Sequence, residues 1–177
     1  MEITFLLLAV ISVIVWAVVR FFICSKKDGV DFKHEGFLFL VFAYCLLVAR
    51  GVYFPTKSPD GRMVRMIIDF ENMFPPNINM TPLTFIAERY PGWWINVFGN
   101  IIIFIPAGIF IPMLSKRAKN ILQTTVIGFG WSLLIELSQL FLFDRCSDID
   151  DLILNTLGAF VGACIYFAVK ACRKKRL

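Results

Sequence analysis

The sequence predicts an all-α, polytopic transmembrane helical bundle of about five helices, and three observations predict it. Hydrophobic residues make up 58% of the 177-residue chain and mean hydropathy is +0.74, well outside the range of a soluble domain. Several stretches hold the roughly 20 consecutive, mostly apolar residues needed to cross about 30 Å of hydrocarbon. Those stretches lack the two-residue alternation of a barrel strand, so helices are left to satisfy their backbone groups in lipid.

The first span is read from Ile3 to Cys24, with Arg20 near enough to its end to snorkel to the headgroups. It lacks the basic start and the small-residue cleavage site of a signal peptide and is expected to remain a span. A polar link from Ser25 to Glu35 follows, and the second span runs from Phe37 to Phe54, stopping at Pro55. Residues 55–91 form the one long polar segment, with an expected role as connector, lid or re-entrant loop. Within it Met63, Val64, Met66, Ile67 and Phe70 alternate with Arg62, Arg65 and Asp69, a pattern compatible with a short amphipathic helix lying on the membrane. The third span, Trp93 to Leu114, opens on the interfacial pair Trp93 and Trp94 and carries Pro106 and Gly108, where a kink is expected. The fourth runs from Ile121 to Phe143 and the fifth from Asp151 to Ala168. With no internal repeat or linker, residues 1–177 read as a single membrane domain.

Charge sets the expected orientation. Lys26, Lys27 and Lys33, then Lys116, Arg117 and Lys119, then the tail Arg173 to Arg176 fall on one side of a five-span chain. The positive-inside rule makes that side the cytoplasm and puts the N-terminus, residues 55–91 and the link Asp144 to Asp150 outside. The formal net charge of +5 is thus accounted for by short tracts beside apolar spans, with membrane lipids as partners. No basic patch is interleaved with stacking aromatics, which excludes nucleic acid. Cys24, Cys45, Cys146, Cys164 and Cys172 show no close pair and no zinc-type spacing with His34, the one histidine, which reads as a solvated loop residue. Only Cys146 would face an oxidising exterior, so no disulfide partner is expected for it.

On this topology the residues most expensive to bury gather at one depth. Asn96 and Asn100, four apart, share a face on the outer half of the third helix. Glu136 and Gln139 share one on the outer half of the fourth, and Arg145, Asp148, Asp150 and Asp151 stand at the rim, with Asn155 one turn into the fifth. An ionisable group inside a bilayer is paired, hydrated or functional. Glu136 is therefore either interhelical glue hydrogen-bonded to Asn96, Asn100 or Asn155, or a ligand contact or general acid. The three aspartates either cap the fifth helix and complement its dipole or, with Glu136, hold a divalent cation through oxygen ligands, although the spacing matches no EF-hand loop. Arg145 pairs with these aspartates or holds a ligand's phosphate or carboxylate. Gly158 and Gly162 form a G-x-x-x-G that serves either packing inside the bundle or a homodimer face.

These residues compose a pattern. Asn79-Met80-Thr81-Pro82-Leu83 resembles the N-x-x-P-F element of VanZ-like proteins, with Leu83 where that family often has phenylalanine. Asn96-Val97-Phe98-Gly99-Asn100 with Phe104, Pro106 and Gly108 resembles their N-x-x-x-N-x-x-x-F-x-P-x-G signature, and Glu136-Leu137-Ser138-Gln139 their E-x-x-Q. Arg145, Asp148, Asp150, Asp151, Asn155, Gly158 and Gly162 follow their R-x-x-D-x-D-D-x-x-x-N-x-x-G-x-x-x-G. The resemblance covers residues 79–167, while the first two spans resemble only generic membrane helices. It implies a multi-pass protein of the bacterial cell membrane and a link to resistance against the glycopeptide antibiotic teicoplanin, with no reaction attached.

Three functions follow as expectations. The leading one is an outward-facing polar pocket, lined by Asn96, Asn100, Glu136, Gln139, Arg145, Asp148, Asp150, Asp151 and Asn155. It would bind a cell-envelope lipid, a lipid-linked cell-wall precursor or the glycopeptide itself. The alternative is an integral-membrane enzyme using Glu136 as general acid and Asp151 as base on a lipid-linked substrate. A transporter comes third, since polarity confined to one leaflet and an odd span count do not suit alternating access.

Overall fold

The computed structural model describes residues 2–26, 29–54, 65–68, 77–84, 86, 92–142 and 145–174. The fold is all-α and polytopic, with five helices, each long and apolar enough to cross a membrane. Helix α1 spans Phe5–Ser25 and starts at Thr4, whose hydroxyl accepts the Leu7 N–H at 3.3 Å. Helix α2 spans Phe32–Tyr53 and begins five residues before the expected Phe37. The reason is Asp31, whose carboxylate caps the Lys33 and His34 N–H groups at 3.0 and 3.3 Å, while Glu35 in the first turn complements the helix dipole. His34 is therefore an exposed first-turn residue of a helix, not a loop histidine.

Helix α3, Trp93–Leu114, runs through Pro106 and Pro112 without ending. Helix α4, Ile121–Gln139, is capped by Asn120, whose side chain accepts the Gln123 N–H at 2.8 Å. It stops four residues before the expected Phe143. Helix α5, Ile149–Lys174, begins before Asp151 and outlasts Ala168 by six residues, carrying its basic residues within the helix, where they complement the C-terminal dipole.

Backbone packing groups the chain into two compact units: Met1–Glu71 with Leu142–Asp144, and Asn72–Phe141 with Arg145–Leu177. In the first unit strand β1, Glu2–Thr4, pairs antiparallel with β2, Arg65–Ile67, in the register Glu2 to Ile67. An isolated bridge between Ile68 and Leu142 extends the pairing. The amphipathic helix expected between Met63 and Phe70 falls mostly outside the described residues, and Arg65–Ile67 within it are a strand. Helices α1 and α2 meet through rings: Trp16 stacks on Phe42 at 5.2 Å and meets Phe39 edge-on at 5.5 Å. Arg20 does not snorkel free, since its guanidinium forms an ion pair with Glu35, Nε donating at 2.8 Å.

The second unit is held by closer approach. A Cβ built on Gly158 would sit 2.2 Å from the Ile101 carbonyl oxygen, and one on Gly162 2.1 Å from that of Ile105, so α3 and α5 run parallel in backbone contact. Gly108 fits the same seam against the Ala159 carbonyl, and Gly128 of α4 faces the Ala159 methyl. The G-x-x-x-G weighed above as a homodimer face is thus filled from within the chain by α3. Phe104, 1% exposed, and Trp131 bring α3 and α4 together with ring centroids 6.2 Å apart.

Candidate functional site: the polar end of the second unit

One end of the second unit is built from the start of α5, the last turns of α4, the first half of α3 and the connector 77–84. Strand β3, Ile78–Asn79, pairs in parallel with β4, Ser147–Asp148, and the Ser147 N–H donates to the Asn77 carbonyl at 3.0 Å. This short ladder places the connector beside the N-terminus of α5. The Asn79 side chain turns the connector by accepting the Thr81 N–H at 3.1 Å, and its Nδ2 donates to Asp148 Oδ2 at 3.1 Å.

The four carboxylates expected to act as one group hold four different things. Asp148 is the helix cap, its Oδ1 accepting the Asp150 N–H at 2.8 Å. Asp150, 3% exposed, does not cap α5. It accepts the Leu83 N–H through Oδ1, and the Thr84 N–H at 2.8 Å and hydroxyl at 2.6 Å through Oδ2. Those bonds clamp the connector onto the bundle. Asp151 accepts from Asn100 Nδ2 and so ties α5 to α3. Glu136, 4% exposed, has a carboxylate oxygen that accepts the Asp148 N–H at 3.0 Å and the Ser147 hydroxyl at 3.4 Å, which fixes the end of α4 to β4. One turn deeper, Asn155 Nδ2 donates to Ser132 Oγ at 3.0 Å, joining α5 to α4.

Of the sequence-derived set, Asn100, Glu136, Asp148, Asp150, Asp151 and Asn155 are thus brought into one layered network. Gln139, 6% exposed, is buried at the end of α4, and Arg145 is half-buried, its carbonyl accepting from Asn77 Nδ2 at 3.4 Å. Asn96 is exposed, because four residues carry a helix roughly 40° past a full turn and so rotate it off the buried stripe that Asn100 borders. As for glue, Asn100 and Asn155 bind Asp151 and Ser132, while Glu136 is held by Ser147 and Asp148. A divalent-cation site is not assembled: among the described residues no group of three His, Cys, Asp or Glu side chains is placed to hold a metal ion. The cause is visible in the bonds, since each carboxylate is already occupied by N–H or O–H donors of the chain.

Three members of the network escape a sequence reading. Ser132 carried a signal, lying four residues before Glu136 and so on the same face. Thr84 and Ser147 carried none, because their partners lie 66 and 11 residues away and are set by the connector's path. Beneath the network the pair Phe104 and Trp131 provides an apolar floor, and Asn155 Oδ1 is buried with no hydrogen-bond partner among the described residues.

No curated protein and no solved structure matches the chain. The family model described as VanZ/LLP1 matches residues 37–170, which takes in α2 as well as the motifs of the second unit. With more than half the sequence inside that match, the motif-bearing helices α3 to α5 in place and five membrane-length helices, this multi-pass membrane protein belongs to the VanZ/LLP1 family.

Proposed function

We propose that the chain is a bacterial cell-membrane protein whose polar end faces outward, binds a cell-envelope lipid or lipid-linked cell-wall precursor, and thereby limits the action of teicoplanin-like glycopeptides. The observation that carries this reading is the burial of Glu136, Gln139, Asp150 and Asn155, at 4%, 6%, 3% and 3% exposure, at one end of a small bundle. Asn155 Oδ1 stands among them without a partner from the described residues. Buried polar groups in a membrane helix bundle mark a wet cavity or a ligand path by default. The family supports the resistance link, and the basic residues at the opposite end of the unit support the orientation. An acid–base pair draws no support from the geometry, because Glu136 is tethered to Ser147 and Asp148 and Asp151 to Asn100.

The test is teicoplanin susceptibility of a Gram-positive host expressing wild type, Glu136→Gln or Asp151→Asn at matched membrane levels. Wild type is expected to raise the inhibitory concentration and both isosteric variants to lose that rise. Protection by the variants equal to wild type would remove the polar end from the mechanism, and no protection by wild type would sever the chain from the resistance link.

A further inference from the structure

The far end of the second unit has a character of its own. No acidic residue occurs between Gly108 and Ile135, nor anywhere after Asp151, yet these stretches carry Lys116, Arg117, Lys119, Lys170, Arg173 and Lys174. All six side chains are exposed. Among the described residues of the unit, no carboxylate forms an ion pair with any of the six.

The cations are also placed, not merely present. The link between α3 and α4 is pinned: the Arg117 N–H donates to Ser115 Oγ at 3.2 Å, the Ala118 N–H to the Ser115 carbonyl at 3.2 Å, and the Lys119 N–H to Gln123 Oε1 at 3.0 Å. Ala118 is buried at 5% exposure, which anchors the link and turns Lys116, Arg117 and Lys119 outward around it. On α5, Lys170 holds its ammonium over the rings of Tyr166 and Phe167, at 5.9 and 5.8 Å. Since Gly162 lies against Ile105 and Gly108, and the helices are parallel, Lys170 comes level with Ser115 at the start of that link. At about 1.5 Å per residue, α5 outruns α3 by roughly 7 Å, lifting Arg173 and Lys174 one turn beyond. The result is a shelf of four cations at the ends of membrane-length helices, above Tyr166, a residue of the kind that sits at headgroup depth, with two more cations above it.

We propose that this shelf is a docking surface for anionic phospholipid headgroups, whose phosphates lie against Lys116, Arg117, Lys119 and Lys170. Charge complementarity commits the occupant: a zwitterionic headgroup brings its own cation and gains nothing here, whereas each phosphate of an anionic lipid meets an uncompensated ammonium or guanidinium.

The experiment follows thermal unfolding of the full chain in neutral detergent while phosphatidylglycerol or phosphatidylcholine is titrated in. Phosphatidylglycerol is expected to stabilise and phosphatidylcholine not. The double variant Lys116→Gln with Lys119→Gln, and separately Lys170→Gln, should raise the phosphatidylglycerol concentration for half-maximal stabilisation by about fivefold per lysine removed. The charge-conserving pair Lys116→Arg with Lys119→Arg should leave it unchanged. Equal stabilisation by phosphatidylcholine, an equal loss in the charge-conserving arginine pair, or reproduction of the effect by inorganic phosphate alone would each overturn the proposal.

Discussion

The two units cross the membrane with similar helices and hold them together by different means. In the first, α1 buries no residue at all and meets α2 through the Trp16, Phe39 and Phe42 rings and one ion pair. In the second, α3 and α5 touch backbone to backbone and the polar end is cross-linked by hydrogen bonds. Lipid tails are as apolar as leucine, so apolar contact alone does little to select one helix pairing in a bilayer, whereas small residues and polar groups do. The difference teaches where this protein needs a fixed geometry: in the unit that carries the polar network.

Glycine substitution gives the largest expected separation of the two. Gly162→Ala places a methyl 2.1 Å from the Ile105 carbonyl oxygen, and Gly158→Ala one 2.2 Å from that of Ile101. Backbone cannot give way as a side-chain tip can, so each is expected to destabilise by about 3 kcal/mol or more. Gly36→Ala on α2 meets nothing within 4 Å and removes a flexible residue from a helix. It should be neutral or stabilising by up to about 1 kcal/mol. Thermal unfolding of the three variants in detergent reads the contrast, and equal losses at Gly36 and Gly162 would break it.

The next effect comes from the clamp between Asp150 and the connector. Asp150→Ala strands the Leu83 and Thr84 N–H groups and the Thr84 hydroxyl at a site 3% exposed, a loss of about 3 kcal/mol at ordinary values for orphaned donors. Asp150→Asn keeps one acceptor and turns the other into a donor facing donors, so roughly half of that loss, about 1.5 kcal/mol, is expected. Hydrogen exchange at Leu83 and Thr84 checks the cause: it should accelerate in both variants, and more in the alanine one. Unchanged exchange with lowered stability would place the effect within α5 and not in the clamp.

How much of this was legible in the sequence follows the range of the interaction. Apolar runs of membrane length are local, and all five helices were read from them, with ends misjudged where a single capping residue such as Asp31 decided the start. The face-sharing of Glu136 with Gln139 follows from helical period, and both are buried. The partners were not legible, because a carboxylate two or three residues into α5 has several donors within reach and the connector's path decides among them. That path also sent Asp150 to Leu83 and Thr84 instead of to its own helix. Asn96 is exposed for a simpler reason: four residues is not a full multiple of 3.6, so two polar residues can share a face while only one borders the buried stripe. The pairing of Arg65–Ile67 with Glu2–Thr4 spans most of the first unit's sequence and leaves no local trace, since Arg62, Arg65 and Asp69 recur at the spacings of three and four that suit a helix face.

The smallest effect sharpens the comparison at a single turn. Leu83 adopts φ +63°, the left-handed conformation that a side chain with a Cβ rarely takes. The clamp explains it, since consecutive N–H groups of Leu83 and Thr84 must both point at Asp150, and the tight turn that allows this forces the sign of φ. Leu83 is 46% exposed, so its side chain contributes little packing to offset the strain. Asparagine tolerates this region and should stabilise by up to about 0.5 kcal/mol, glycine should relieve the strain but lose as much to the freedom of the unfolded chain, and valine should destabilise by about 1 kcal/mol. Unfolding of Leu83→Asn, Leu83→Gly and Leu83→Val orders them. If valine matched asparagine, the turn would not be held in the left-handed region by Asp150, and the connector would resemble the tolerant first unit more than the clamped second.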